Sequence, residues 1–157
     1  MHFPIIQICK TRKDAKENRI TELYLCEDST VNYFTDYVGD TYTEKQRKEY
    51  LREDYLKNLF AGIADVDETG KISFHSEEEI RATLQEEYKK VLESLKEQSE
   101  KGRIRGYDFR NAGEYFRDCD EMFYFESCAQ CSGAFMEDTP YFAGKTFYVG
   151  AIFDAHI

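Results

Sequence analysis

Two thiols at the spacing of Cys128-Ala129-Gln130-Cys131 are the first residues whose pattern could do chemistry. Thiolates so spaced can hold zinc through a tight turn, and at a helix N-terminus they can be redox-active through a lowered pKa. A structural zinc site needs four ligands. There is no second Cys-x-x-Cys, so Cys9, Cys26, Cys119 or His156 would have to complete the set across the fold. Gly133 and Pro140 follow, with no strong helix signal starting at Cys131, which speaks against the redox form. Cys131, His156 and Asp154 can also be drawn as nucleophile, base and orienting carboxylate, although no spacing rule supports that drawing. The other histidines, His2 and His75, stand far apart, and only His75 has neighbouring carboxylates, Glu77 and Glu78. The chain therefore reads as more binder than enzyme.

A second pattern is Asp65-Val66-Asp67-Glu68-Thr69-Gly70-Lys71-Ile72-Ser73, which resembles the first nine positions of an EF-hand calcium loop. The resemblance fails at position twelve, where Ser76 stands in place of the bidentate glutamate and Glu77 falls one residue late. The favoured reading is a β-hairpin, 63–67 and 71–75, turning at Glu68-Thr69-Gly70. Gly144-Lys145-Thr146 matches only the tail of a phosphate loop. The glycine required five residues earlier is Thr139, and the residues that follow look like a strand.

The third pattern is acid set among aromatics. Glu27, Asp28, Asp36 and Asp40 occur without a base and are interleaved with Tyr33, Phe34 and Tyr37. From Asp118 to the end, Asp118, Asp120, Glu121, Glu126, Glu137, Asp138 and Asp154 face a single base, Lys145. Carboxylates among tyrosines can imitate a phosphate backbone and offer stackable contact area of low entropy cost. The partner-binding candidates are Glu27, Asp28, Tyr33, Asp36, Tyr37, Asp40, Asp118, Asp120, Glu121, Glu137 and Asp138.

Composition narrows the choice. The 21 basic and 31 acidic side chains give a formal charge of −10. Nucleic-acid binding needs a basic face, so direct binding of nucleic acid is not expected, whereas a basic protein partner is. Five cysteines, an odd number, with no export signal argue against a secreted disulfide framework and for a reducing, cytoplasmic setting. No apolar run approaches the ~20 residues of a membrane helix. The expectation is a non-catalytic acidic interaction module, an inhibitor or nucleic-acid mimic that binds a basic protein surface. The alternative is a zinc-binding or thiol-active protein centred on Cys128 and Cys131.

The elements that must position these residues follow from periodicity and punctuation. One domain, 1–157, is expected, with no repeats or linkers. Phe3 to Cys9 reads as a strand, Lys10 to Arg19 as a polar loop and Ile20 to Cys26 as a second strand, making an N-terminal hairpin. Asp28-Ser29-Thr30 starts a short helix carrying Val31, Phe34 and Val38, stopped by Gly39. Thr43 with Gln46 caps a long helix that runs to Gly62 and buries Leu51, Tyr55, Leu56, Leu59 and Phe60. Its charged first half projects into solvent. Ser76 and Glu79 cap a second long helix with a stripe of Ile80, Leu84, Tyr88, Val91, Leu92 and Leu95, ended by Gly102. The last third holds 13 of the 24 aromatics. There 122–126 reads as a strand, 128–140 as a loop and 146–154 as a final strand with Phe147, Val149, Ala151 and Phe153 on one face. The fold expected is α+β: an antiparallel sheet of about five or six strands with two long helices packed on one face.

Overall fold

A computed structural model describes residues 2–28, 31–32, 35–103, 105 and 122–156. Its organising element is the eleven-residue C-terminal strand β7 (Thr146–His156), around which a seven-stranded sheet is assembled. One edge of β7 pairs antiparallel with β1 (His2–Cys9) along most of its length. The other edge takes β4 (Lys71–Phe74) near its start and β2 (Tyr37–Thr41) near its end. β3 (Ala64–Val66) flanks β4, and β5 (Met122–Phe125) and β6 (Cys128–Cys131) extend the sheet beyond β1. The class is α+β. The sheet is mixed rather than antiparallel, because β1 and β5 run parallel.

The expected N-terminal hairpin does not form. The polar stretch after β1 holds the helix α1 (Arg12–Glu17), and the next segment is the helix α2 (Glu22–Cys26) instead of a strand. Both have local start signals that outweigh β propensity. Thr11 Oγ1 accepts the Asp14 amide at 3.0 Å and Thr21 Oγ1 accepts that of Tyr24 at 3.4 Å. α1 buries only Ala15, so no apolar period announces it. Gly39 stops no helix; it lies inside β2 with Val38.

The long helix expected from Thr43 to Gly62 is two. α3 (Glu44–Arg52) starts on the predicted Thr43/Gln46 capping box and ends at Glu53, whose ψ of 142° is extended. α4 (Tyr55–Leu59) follows. The break turns Leu56, Leu59 and Phe60 into the core beside Leu51, and leaves Tyr55 at the surface. α3 is not solvated all round either, since Arg47 is buried.

β3 and β4 form the predicted hairpin. Asp67 Oδ1 accepts the Thr69 amide (2.8 Å), the Thr69 hydroxyl (2.6 Å) and the Lys71 amide (3.1 Å), so this carboxylate builds the turn. Gly70 takes a φ of 81°, which a side chain would strain. Partial burial works against the Asp67 charge, but the bonds from Thr69 and Lys71 outweigh it and hold the carboxyl below its ordinary range. A carboxyl with a lowered folded pKa contributes stability above the unfolded value and loses it as pH falls through the folded one. Urea unfolding between about pH 5 and pH 2 should show wild-type stability falling more steeply than that of Asp67→Asn. Parallel pH profiles would remove this role from Asp67.

α5 (Glu77–Glu100) starts on the predicted Ser76/Glu79 box and is followed by Gly102 at φ 64°. It buries only Ile80 and Leu84. Tyr88 and Leu92 are exposed among the described residues. Among the described residues it is therefore the one long helix, and its second half is not part of the described core. After β6, the segment expected as a loop contains α6 (Ser132–Asp138) and a 3-10 turn at Thr139–Phe142.

Helical segments cover both sheet faces. On one, Leu51, Phe60, Ile80, Leu84, Phe135 and Met136 pack against Ile6, Ile8, Ile72, Phe123 and Val149. Phe60, Phe74, Phe123, Phe125, Phe135, Phe142 and Phe147 form a chain of ring contacts with centroids 4.6–6.3 Å apart. On the other face, Leu25 and Val31 cover Phe3, Ile5, Met122, Tyr124 and Phe153.

β7 serves both cores. Ile6 faces Ile152 while Ile8 faces Val149, so β7 carries one extra residue, a bulge. Phe147 and Val149 therefore enter one core, and Ala151, Phe153 and Ala155 enter the other, which corrects the single face expected for this strand. Two buried polar side chains fasten the bulge. Gln7 Oε1 accepts the Ala151 amide at 3.1 Å, and Gln7 Nε2 donates to Asn18 O at 3.2 Å. From the other edge, in the interval between β4 and β2, Arg47 Nε donates to Gly150 O (2.9 Å) and Nη2 to Val149 O (2.5 Å).

Candidate functional site

Antiparallel pairing of β1, β7 and β2 brings three sequence-distant segments to one end of the sheet: His2 faces His156, and His156 faces Tyr37. The Tyr37 ring stacks on His156 at 5.2 Å and 9°, and His2 meets His156 edge-on at 5.1 Å. Carboxylates surround the stack. Asp154 Oδ2 lies 2.9 Å from His2 Nδ1, and Asp36 Oδ2 lies 3.7 Å from His156 Nδ1. An adjoining cleft of about 690 Å³ is lined by His2, Glu22, Asp40, Tyr42, Gln46 and Asp154, with Thr41 and Thr43 between them. Glu22 accepts the Thr41 hydroxyl (2.6 Å) and amide (2.7 Å), which hold its carboxyl ionised below the usual range. Burial, with Asp154 and Glu53 nearby, raises the Tyr42 phenol and keeps it protonated. The cleft offers fixed negative charge beside a flat, exposed aromatic surface, which suits a guanidinium or ammonium group.

Of the candidates read from sequence, Asp36, Tyr37 and Asp40 meet here. Glu27, Asp28, Glu137 and Asp138 do not join them. Glu27 caps the C-terminus of α2, and Asp28 Oδ1 accepts the Val31 amide at 3.0 Å. Glu137 and Asp138 end α6, whose core residues belong to the opposite sheet face. Tyr88 donates to Glu137 at 3.3 Å and Gln130 to Asp138 at 3.0 Å. Tyr33, Asp118, Asp120 and Glu121 lie outside the described residues. His2, Glu22 and Asp154 were missed as partners of this end, because only the strand pairing unites them.

Cys128 and Cys131 occupy the two ends of β6 rather than a tight turn. Three extended steps set their α-carbons about 10 Å apart and send the side chains to opposite faces, a poor start for a shared metal or a disulfide. The drawn triad fails as well. From Cys131 the ladder runs through Met122 and Ile5 to Phe153, three strand spacings or about 14 Å from the β7 end that carries Asp154 and His156. Among the described residues no three His, Cys, Asp or Glu side chains converge as metal ligands. Burial first, then Asp14, pushes the Cys9 thiol up to about 11, so it is an inert core group.

A second concavity has the opposite sign. A groove of about 590 Å³ runs between α1 and α3, floored by Tyr148 and Val149 and flanked by the β3–β4 turn. Six bases line it, Arg12, Lys16, Arg19, Arg47, Lys48 and Arg52, against two acids, Glu44 and Glu68. Net acidity hid this groove. A signal existed in the spacing: Arg12, Lys16 and Arg19 recur at four and three residues, as do Lys48 and Arg52 at four, the helical repeat that puts charges on one face.

No family model, curated protein or solved structure matches the chain. The fold class and these two oppositely charged concavities are therefore the basis for assigning a function. No helix among the described residues is long and apolar enough to cross a membrane.

Proposed function

We propose that this protein is a non-catalytic interaction module that receives a basic protein surface at the acidic end of its sheet. The observation that carries this reading is the Tyr37–His156 stack, with Tyr37 53% exposed and Asp36, Asp40 and Asp154 close by in the same end. An arginine presented to it can stack on the ring and pair with a carboxylate at once, the combination that makes arginine and tyrosine dominant at interfaces. The partner would be a protein whose basic groove or helix normally meets phosphate, and occupancy would make this chain its inhibitor. The overall charge would speed the encounter.

Titration with an arginine-rich peptide as probe tests the site. Binding should weaken about tenfold in Tyr37→Ala and in the Asp36→Asn/Asp40→Asn double variant, and fall steeply between low and about 0.5 M salt. The Glu137→Gln/Asp138→Asn variant, altered on the far side, should bind like wild type. Equal loss in both acidic pairs would reduce the interaction to net charge and defeat the assignment to this end.

A further inference from the structure

We infer that the groove between α1 and α3 is a binding site for a compact polyphosphate, the anionic part of a small phosphorylated ligand. Its charge is the first argument. Removing the groove's six bases and two acids from the chain's 21 and 31 leaves 15 and 29 for the rest of the molecule. A protein this acidic elsewhere has gathered over a quarter of its basic side chains into one concavity, from two helices distant in sequence.

The charges are also incompletely answered from within. Glu44 pairs with Arg19, and Glu68 approaches Arg52 at 3.9 Å. Among the described residues no ion pair engages Arg12, Lys16, Arg47 or Lys48. Six bases against two acids leave an excess of four positive charges in one groove, and an anion with several charges relieves their repulsion. A pair of phosphate monoesters carries about three to four negative charges, a match to the excess.

The second argument is rigidity. Arg47 is only 9% exposed and is tied by Nε and Nη2 to the carbonyls of the β7 bulge, so its guanidinium is fixed before any ligand arrives. Arg19 is likewise tied, its Nε donating to Ala15 O at 2.8 Å. Pre-set donors lower the ordering cost of binding. The third argument is size. At about 590 Å³ the groove falls within the roughly 300–1,000 Å³ typical of small-ligand sites. A nucleic-acid strand running out of it would cross a surface with nearly twice as many acids as bases, which selects a compact ligand over a polymer.

Calorimetric titration of the full chain with inorganic tripolyphosphate, inorganic phosphate and a single-stranded RNA oligonucleotide tests the inference. Tripolyphosphate should bind at least about 30-fold more tightly than monophosphate, and Lys16→Gln and Lys48→Gln should each weaken it about tenfold. Both side chains are exposed, so the variants should keep the wild-type fold. Lys96→Gln, on α5 away from the groove, should leave tripolyphosphate binding unchanged. Neither groove variant should weaken capture of the arginine-rich peptide, so the two sites fail independently. No tripolyphosphate binding up to about 1 mM at low salt, equal binding by the groove variants, or tighter binding of the RNA would overturn the assignment.

Discussion

Gly150→Ala is expected to destabilise the fold by roughly 3 kcal/mol. A Cβ at Gly150 would stand 2.5 Å from Gln7 Oε1, 2.8 Å from Gln7 Cδ and 3.0 Å from Cys9 Sγ. None of these can retreat cheaply. The Gln7 amide is buried and engaged at both ends, with the Ala151 amide on its oxygen and Asn18 O on its nitrogen. Moving it would leave the buried Ala151 amide without a partner, at about 1–3 kcal/mol. Urea denaturation should show a lower midpoint with an unchanged slope, since the loss is local packing and not a change in the surface exposed. A midpoint within error of wild type would mean that β1 and β7 can slide apart here, contrary to the tight bulge described.

Arg47→Met should cost about 2 kcal/mol, the loss of two charge-assisted donors to buried carbonyls. Buried ionic groups can often be replaced by apolar ones without harm when both partners are removed together. Here only the donor goes, and the carbonyls of Val149 and Gly150 remain. Methionine keeps most of the side-chain length, so the difference reports the hydrogen bonds more than a cavity. Arg47→Lys should fall between the two, because an ammonium cannot span both carbonyls with a planar fork. Chemical denaturation of the three proteins checks the order, and a methionine variant as stable as wild type would show that water fills the donors' place from the groove.

The legible parts of this fold were those with short-range causes. Asp67 to Gly70 announces a hairpin through turn chemistry, and Thr43 with Gln46 and Ser76 with Glu79 announce helix starts through reciprocal caps. The misread parts depend on distant groups. Ile20 to Cys26 has the composition of a strand, but β1 is already paired on both edges, with β7 and β5, and Thr21 starts a helix instead. Nothing local at Glu53 signals a break. It follows from the need to bring Leu56 and Phe60 to the sheet while Arg47 reaches the bulge one turn before Leu51. Of the acidic end, Asp36, Tyr37 and Asp40 could be read as a cluster because they are neighbours in sequence. His2 and His156 are separated by nearly the whole chain and meet only by strand register. The basic groove was hidden for the same reason: its walls belong to two helices, one of them read as a loop.

The bulge in β7 works like a change of phase in a repeating signal. Before it, odd-numbered residues feed the core under α5; after it, they feed the core under α2. Inserting one residue at Gly150, with the bulge still one residue wide, would leave the strand's composition almost intact. It would nonetheless exchange the destinations of Ala151 through Ala155, putting two alanines and a phenylalanine where Ile152 now packs, and Ile152 where they belong. Insertion should therefore be far less tolerated at this point than conservative substitution along the rest of the strand. Two cores that share no side chain are in this way held to a common register by a single unpaired residue.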